Sequence, residues 1–179
     1  MTDLVTLYGT DQPPVTGEVL AFGDVSLTLQ GAALRHIHVG GVEIIRSVAF
    51  LVRDRDWGTI DPVLGTITRD DSDGLLRLRI PMLFRNGDAD LRVTVTVHIG
   101  QDAIRVQAQG AVKGAFETNR TGFTVLHPVD GVAGAPAVVS HADGRQEDNS
   151  FPLLIAPWQP FMVIAAIEHR TADLAVRCA

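Results

Sequence analysis

Three stretches of this chain gather residues able to do chemistry. The first is FETNRTGFTVLHP, residues 116–128. Glu117 and His127 have the types of a general acid/base pair. Their separation argues against joint work within one straight strand, since ten residues at ~3.3 Å each span ~33 Å. They meet only if the chain folds back, with Gly122 as the place for it. Asn119 and Arg120 form a different group at the start of the apolar run. An arginine there can hold a carboxylate, a lactone carbonyl or a hydroxyl. The two ends therefore belong to opposite rims, and Arg120 with Glu117 is the favoured ligand end if it lies near Asp54 and Asp56. The plainer reading of Arg120 is an edge charge paired with an acid.

The second stretch is SVAFLVRDRDWGT, residues 47–59. Apolar residues on both parities from Val48 to Val52 predict a strand buried on both faces. It ends abruptly in Arg53, Asp54, Arg55, Asp56 and Trp57. Strand alternation would put Asp54 and Asp56 on one face and Arg53, Arg55 and Trp57 on the other. Aspartates accept hydrogen bonds from sugar hydroxyls, and an indole ring stacks on the apolar face of a sugar. The competing reading is a set of rim ion pairs with Trp57 as a lid on the core.

The third is RHIHVGGVEIIR, residues 35–46. With Gly40-Gly41 as a two-residue turn, Val39 pairs with Val42, His38 with Glu43 and His36 with Ile45. His36, His38 and Glu43 then share one face, a pattern similar to the metal motif of cupins. No second half supplies a further histidine. The opposite face, with Ile37, Val39, Val42 and Ile44, looks like the core. A solvated hairpin face is the preferred reading, so no metal and no cofactor is expected. His98, His141 and His169 read as ordinary strand or surface histidines.

The elements that position these residues are strands. Segments 25–30, 33–39, 42–54, 66–70, 75–84, 89–100, 103–112, 122–128, 135–142, 145–151 and 161–170 alternate or carry short apolar runs, and LAVRCA reads as a last partial strand. LRVTVTVHI is the clearest, with Leu91, Val93, Val95, Val97 and Ile99 on one face. Gly40-Gly41, Asp73-Gly74, Gly100-Gln101-Asp102 and Asp143-Gly144 supply turns. The expected fold is all-β, an antiparallel β-sandwich of about eleven strands in a single domain over residues 1–179.

The bulk numbers are those of an ordinary globular domain: 179 residues, 46% hydrophobic and 20% charged. A net charge of −6 and a pI of about 5.4 disfavour nucleic acid and anionic membranes as partners. The one cysteine, Cys178, allows no internal disulfide. No apolar run reaches the ~18 residues that span a bilayer, and MTDLVTLYGT lacks the pattern of a secretory leader. The cytoplasm is the expected location.

LYGTDQPP, GGVEIIRSVAFLVRDRDWGT, NRTGFTVLHP and FPLLIAPWQPF follow one another along the chain. Together they resemble the N-terminal β domain of the D-apionate lactonase family of bacterial carbohydrate catabolism. The sheet pattern also resembles, more weakly, the galactose-mutarotase supersandwich. In the lactonase family such a domain precedes a TIM-barrel-like domain and a further β domain. The resemblance implies a sugar, sugar acid or sugar lactone as ligand and a barrel-bearing partner domain or subunit. It directs attention to Arg53, Asp54, Asp56, Trp57, Asn119, Arg120 and His127. The alternatives are a small stand-alone lactonase or epimerase-like enzyme using Glu117 and His127, and a non-catalytic interaction module. For the latter, Pro157, Trp158, Pro160 and Phe161 would cover a sheet edge or dock a partner.

Overall fold

The computed structural model describes residues 3–11, 15–154 and 160–179, and these form fourteen strands in three antiparallel sheets behind one short helix, α1 (Leu4–Tyr8). The first sheet holds β1 (Glu18–Phe22), β2 (Val25–Gln30), β3 (Ala33–Val39), β4 (Val42–Arg53) and β10 (Arg120–Leu126), in that spatial order. The second holds β5 (Val63–Leu64), β6 (Thr68–Ser72), β7 (Leu75–Asn86), β8 (Ala89–Ile99) and β9 (Ile104–Lys113), with β5 and β6 both pairing with β7. The third runs β12 (Gln146–Ser150), β11 (Pro136–His141), β13 (Ile164–Thr171) and β14 (Leu174–Cys178). Among the described residues no helix is long and apolar enough to cross a membrane.

The first two sheets share one core. Period-two alternation on β8 buries Leu91, Val93, Val95, Val97 and Ile99, each at most 7% exposed. Their neighbours on β7 are Leu76, Leu78, Ile80, Met82 and Phe84, also buried. Leu20, Leu27, Leu34, Ile37 and Val52 complete the core from the first sheet. A second, smaller core of Val132, Ala137, Val139, Phe151, Phe161 and Ile167 belongs to the third sheet.

The expected hairpins form. Gly40 and Gly41 have φ of 56° and 83°, and Asp73 and Gly74 have φ of 54° and 68°. Positive φ at both central residues matches the twist of the flanking strands. The expected count of about eleven strands missed the edge strand β1 and the two-residue β5, and β14 is a full strand. β1 buries only Leu20 fully and so shows little alternation. The expectation that β4 is buried on both faces also needs correction. Val48 through Leu51 are half-buried on both faces, and of this run only Val52 is fully buried.

Candidate functional site

The structure corrects the hairpin face. β3 pairs with β4 as Val39↔Val42 and His38↔Glu43, then shifts register to Ile37↔Ile45. His36 sits beside this bulge with φ of 50°. Its Nδ1 meets Glu43 Oε1 at 3.2 Å, while Arg46 donates to Glu43 Oε2 at 2.8 Å. His38 Nδ1 donates to the His36 carbonyl at 2.7 Å. The carboxylate is thus already answered by a guanidinium and an imidazole. Among the described residues no group of three or more His, Cys, Asp or Glu is placed to hold a metal. The bulge also replaces Ile44 with Ile45 in the buried set: Ile37 is 2% exposed and Ile45 8%.

The strand-end residues do converge. β10 pairs with β4 antiparallel from Arg120↔Arg53 through Phe123↔Phe50 to Leu126↔Ser47. This register sets the Asn119-Arg120 end beside the Arg53–Thr59 turn, and Asn119 N–H donates to the Arg53 carbonyl at 3.0 Å. Beneath the rim, Phe84, Phe50 and Phe123 follow one another at 6.1 and 5.4 Å between ring centroids, the first pair tilted and the second edge-to-face. Phe50 packs on the core, and Phe123 packs on Phe50.

Beyond Arg53 the chain turns, so strand alternation stops. Asp54 N–H donates to the Gly58 carbonyl at 2.9 Å. Asp54 Oδ1 accepts from the amides of Asp56 at 2.9 Å and Gly58 at 2.7 Å. Asp54 is therefore a turn-former of the kind short polar side chains favour. Gly58 suits this turn, because a Cβ at that position would meet Asp54 Oδ2 and displace the carboxylate. The turn drives Trp57 into the left-handed region, at φ of 70°, and leaves it 54% exposed. A non-glycine residue in that conformation carries strain of roughly 1–3 kcal/mol.

Trp57 meets both arginines of the register pair. Its ring lies under the Arg120 guanidinium, with Cζ 5.1 Å from the centroid. Its carbonyl accepts from Arg53 Nη1 at 3.3 Å, and Thr59 Oγ1 accepts from the same nitrogen at 2.6 Å. The rim's carboxylates go elsewhere. Arg55 faces both Asp56 and Glu117 at 3.6 Å. Hence Arg53 and Arg120, cross-strand partners of like charge, meet no carboxylate among the described residues.

Glu117 and His127 are not brought together. Glu117 is solvent-exposed on Arg55 at the rim. His127 lies past the far end of β10, against Phe151 at 5.0 Å and His169 at 5.3 Å between ring centroids. Burial, and then the neighbouring His169, lower the His127 pKa to about 4. Burial also lowers that of His169, which is 5% exposed. His127 Nδ1 and His169 Nε2 are buried without a hydrogen-bond partner among the described residues. The surface reading of His141 and His169 is therefore corrected. His141 is 9% exposed, with Nδ1 3.2 Å from the Val163 carbonyl. Residue-by-residue parity could not reveal this, because the cover comes from loops distant in sequence. Pro157 and Trp158 lie outside the described residues, Pro160 is exposed and Phe161 is 8% exposed.

Two concavities lie away from the rim. One of about 460 Å3 runs over the third sheet past Asp148, Glu168 and Arg177. The other, of about 430 Å3, opens between Val48, Val106, Phe123 and the β14 end. Neither includes Arg53, Trp57 or Arg120. Among the described residues, the rim alone combines an exposed indole with two cations, the groups that receive a polar ring compound.

The family model for the N-terminal domain of D-apionate lactonase matches residues 5–179. A D-apionate lactonase from Brucella anthropi is 39% identical over 175 residues, covering 93% of this chain. The match spans 28% of that relative's length. No solved structure matches the chain. The chain thus belongs to the family of D-apionate lactonase N-terminal domains.

Proposed function

We propose that this chain is a carbohydrate-associated β-sandwich domain that binds a sugar or sugar lactone at the Arg53–Trp57–Arg120 rim. In this role it supports a lactonase whose hydrolytic chemistry lies in the remaining length of the longer polypeptide, or in a barrel-bearing partner subunit. The observation that carries the reading is Trp57. It is a strained and exposed indole, held at a strand end by a dedicated turn and stacked under Arg120. Indole faces take up the apolar face of a sugar ring, and nearby guanidiniums and Asn119 donate to its hydroxyls. Glu117 and His127 lie too far apart to act together as an acid and base, which favours binding over hydrolysis at this rim. The working location under this reading is the cytoplasm, where Cys178 stays reduced.

Calorimetric titration of the purified chain with D-apionolactone and common aldoses tests the reading. Heat of binding that disappears in Trp57→Ala is expected. Absence of heat, together with no protection against thermal unfolding at millimolar sugar, overturns it.

A further inference from the structure

We propose that the rim selects the ring-opened sugar acid over the neutral lactone, with Arg53 and Arg120 receiving its carboxylate and Trp57 its carbon chain. This deepens the sugar-binding reading and rests on it. The argument begins with how the charges are sorted. Three arginines and three acids stand at this strand end, yet they are not matched one to one. Arg55 takes both Asp56 and Glu117. Asp54 is occupied by two backbone amides. Arg53 is left with two neutral acceptors and Arg120 with an aromatic face.

Like charges directly opposite on paired strands destabilise a sheet. Arg120↔Arg53 is such a pair, and no carboxylate of the described residues relieves it. A neutral lactone carbonyl would need one donor and would leave the second cation unmatched. A carboxylate answers both. Guanidiniums suit it because their planar forks present paired N–H donors at carboxylate spacing. Each arginine has N–H groups to spare, since Arg53 uses only Nη1 and Arg120 makes no hydrogen bond to a described residue. Arg53 is also held in place, so less freedom is lost when an anion arrives. Solvent exposure keeps the preference modest and sensitive to salt.

The test is calorimetric titration with sodium D-apionate, with its neutral amide and with the lactone, at low salt and at about 0.5 M salt. The expected result is binding of the acid roughly three- to tenfold tighter than the amide or lactone. That gap should close at high salt and in Arg120→Gln and Arg53→Gln. Both side chains sit at the rim, and far-ultraviolet circular dichroism checks that the variants fold. Equal binding of acid and neutral forms, unchanged in the arginine variants, overturns this inference and leaves sugar binding standing. Equal binding of inorganic sulfate shows an anion site without sugar selection and also overturns it. Binding of none of the three sugars overturns both this inference and the reading beneath it.

Discussion

Arg120 holds its guanidinium 5.1 Å above the ring of Trp57, although the two residues are 63 positions apart in sequence. The contact exists because β10 returns antiparallel along β4 in a register that sets Arg120 opposite Arg53. The turn after Arg53 then carries Trp57 back over that pair. Two features of Trp57, its positive φ and its exposure, are costs to the fold. Trp57→Asn should therefore separate stability from binding. Asn tolerates the left-handed region better, while the lost cation–π contact contributes only ~0.5–1 kcal/mol at an exposed site. The expected melting temperature is equal to or above that of the parent, with sugar binding lost. A drop of more than about 4 °C, roughly 1 kcal/mol or more at this size, would show the ring to be a structural lid.

The turn itself depends on Asp54. Its Oδ1 satisfies the amides of Asp56 and Gly58, neither of which has another acceptor in the turn. Asp54→Ala should cost about 1–2 kcal/mol, a few degrees in melting temperature. It should also loosen Trp57. Tryptophan fluorescence anisotropy in a Trp158→Phe background should fall, since Trp57 is then the sole indole. An unchanged anisotropy would mean that Arg53 and Arg120 fix the ring without the turn.

Much of this fold was legible in the sequence because a sheet with one wet face writes period two directly. Leu91 to Ile99 declare their face, and Gly40-Gly41 and Asp73-Gly74 declare their turns. The rim was legible only as a set of types. Arg53, Asp54, Asp56, Trp57 and Arg120 were visible as chemistry at strand ends, but their sorting into turn-former, ion pair and free cation needed the register. Alternation failed at Asp54 because the strand ended there. It failed at His36 because a bulge interrupts the ladder, which parity cannot anticipate. The burial of His127, His141 and His169 was hidden because residues outside the strands, Phe151 and Val163 among them, supply the cover, and such segments carry no periodic signal.

The aromatic series Phe84–Phe50–Phe123 runs from the core towards the rim, so a change at Phe84 tests whether core packing and rim geometry are separable. Phe84 is 0% exposed and its ring lies 6.1 Å from that of Phe50. Phe84→Ala removes a fully buried ring and should cost ~3–5 kcal/mol, lowering the melting temperature by roughly 6–20 °C. Phe84→Leu, which keeps most of the volume, should cost less than half of that. Sugar affinity of the folded Phe84→Leu protein should change little, because Arg53 and Trp57 are held by their own turn. A large affinity loss in Phe84→Leu would show instead that the ring stack sets the rim geometry.

The sharpest pH dependence should come from the His127–His169 contact at the far end of β10. Burial disfavours the charged form of both imidazoles, and each has a ring nitrogen without a partner among the described residues. Phe151 packs on both rings, and Thr171 Oγ1 lies 3.2 Å from His169 Nδ1. No carboxylate among the described residues pairs with either imidazole. The folded-state pKa of His127, about 4, lies below its unfolded value of about 6.5. Between those values the unfolded chain binds more protons than the folded one, so stability rises with pH across this window. The contribution is fully present above about pH 6.5 and is lost as pH falls towards 4. Urea unfolding at pH 7 and pH 5 should differ by roughly 1–3 kcal/mol in that direction. His127→Phe keeps an aromatic ring against Phe151 while removing the titrating group, and it should flatten the difference. If His127→Phe leaves the pH 7 to pH 5 difference intact, the sensitivity belongs to other groups, and the buried imidazole pair is not its source.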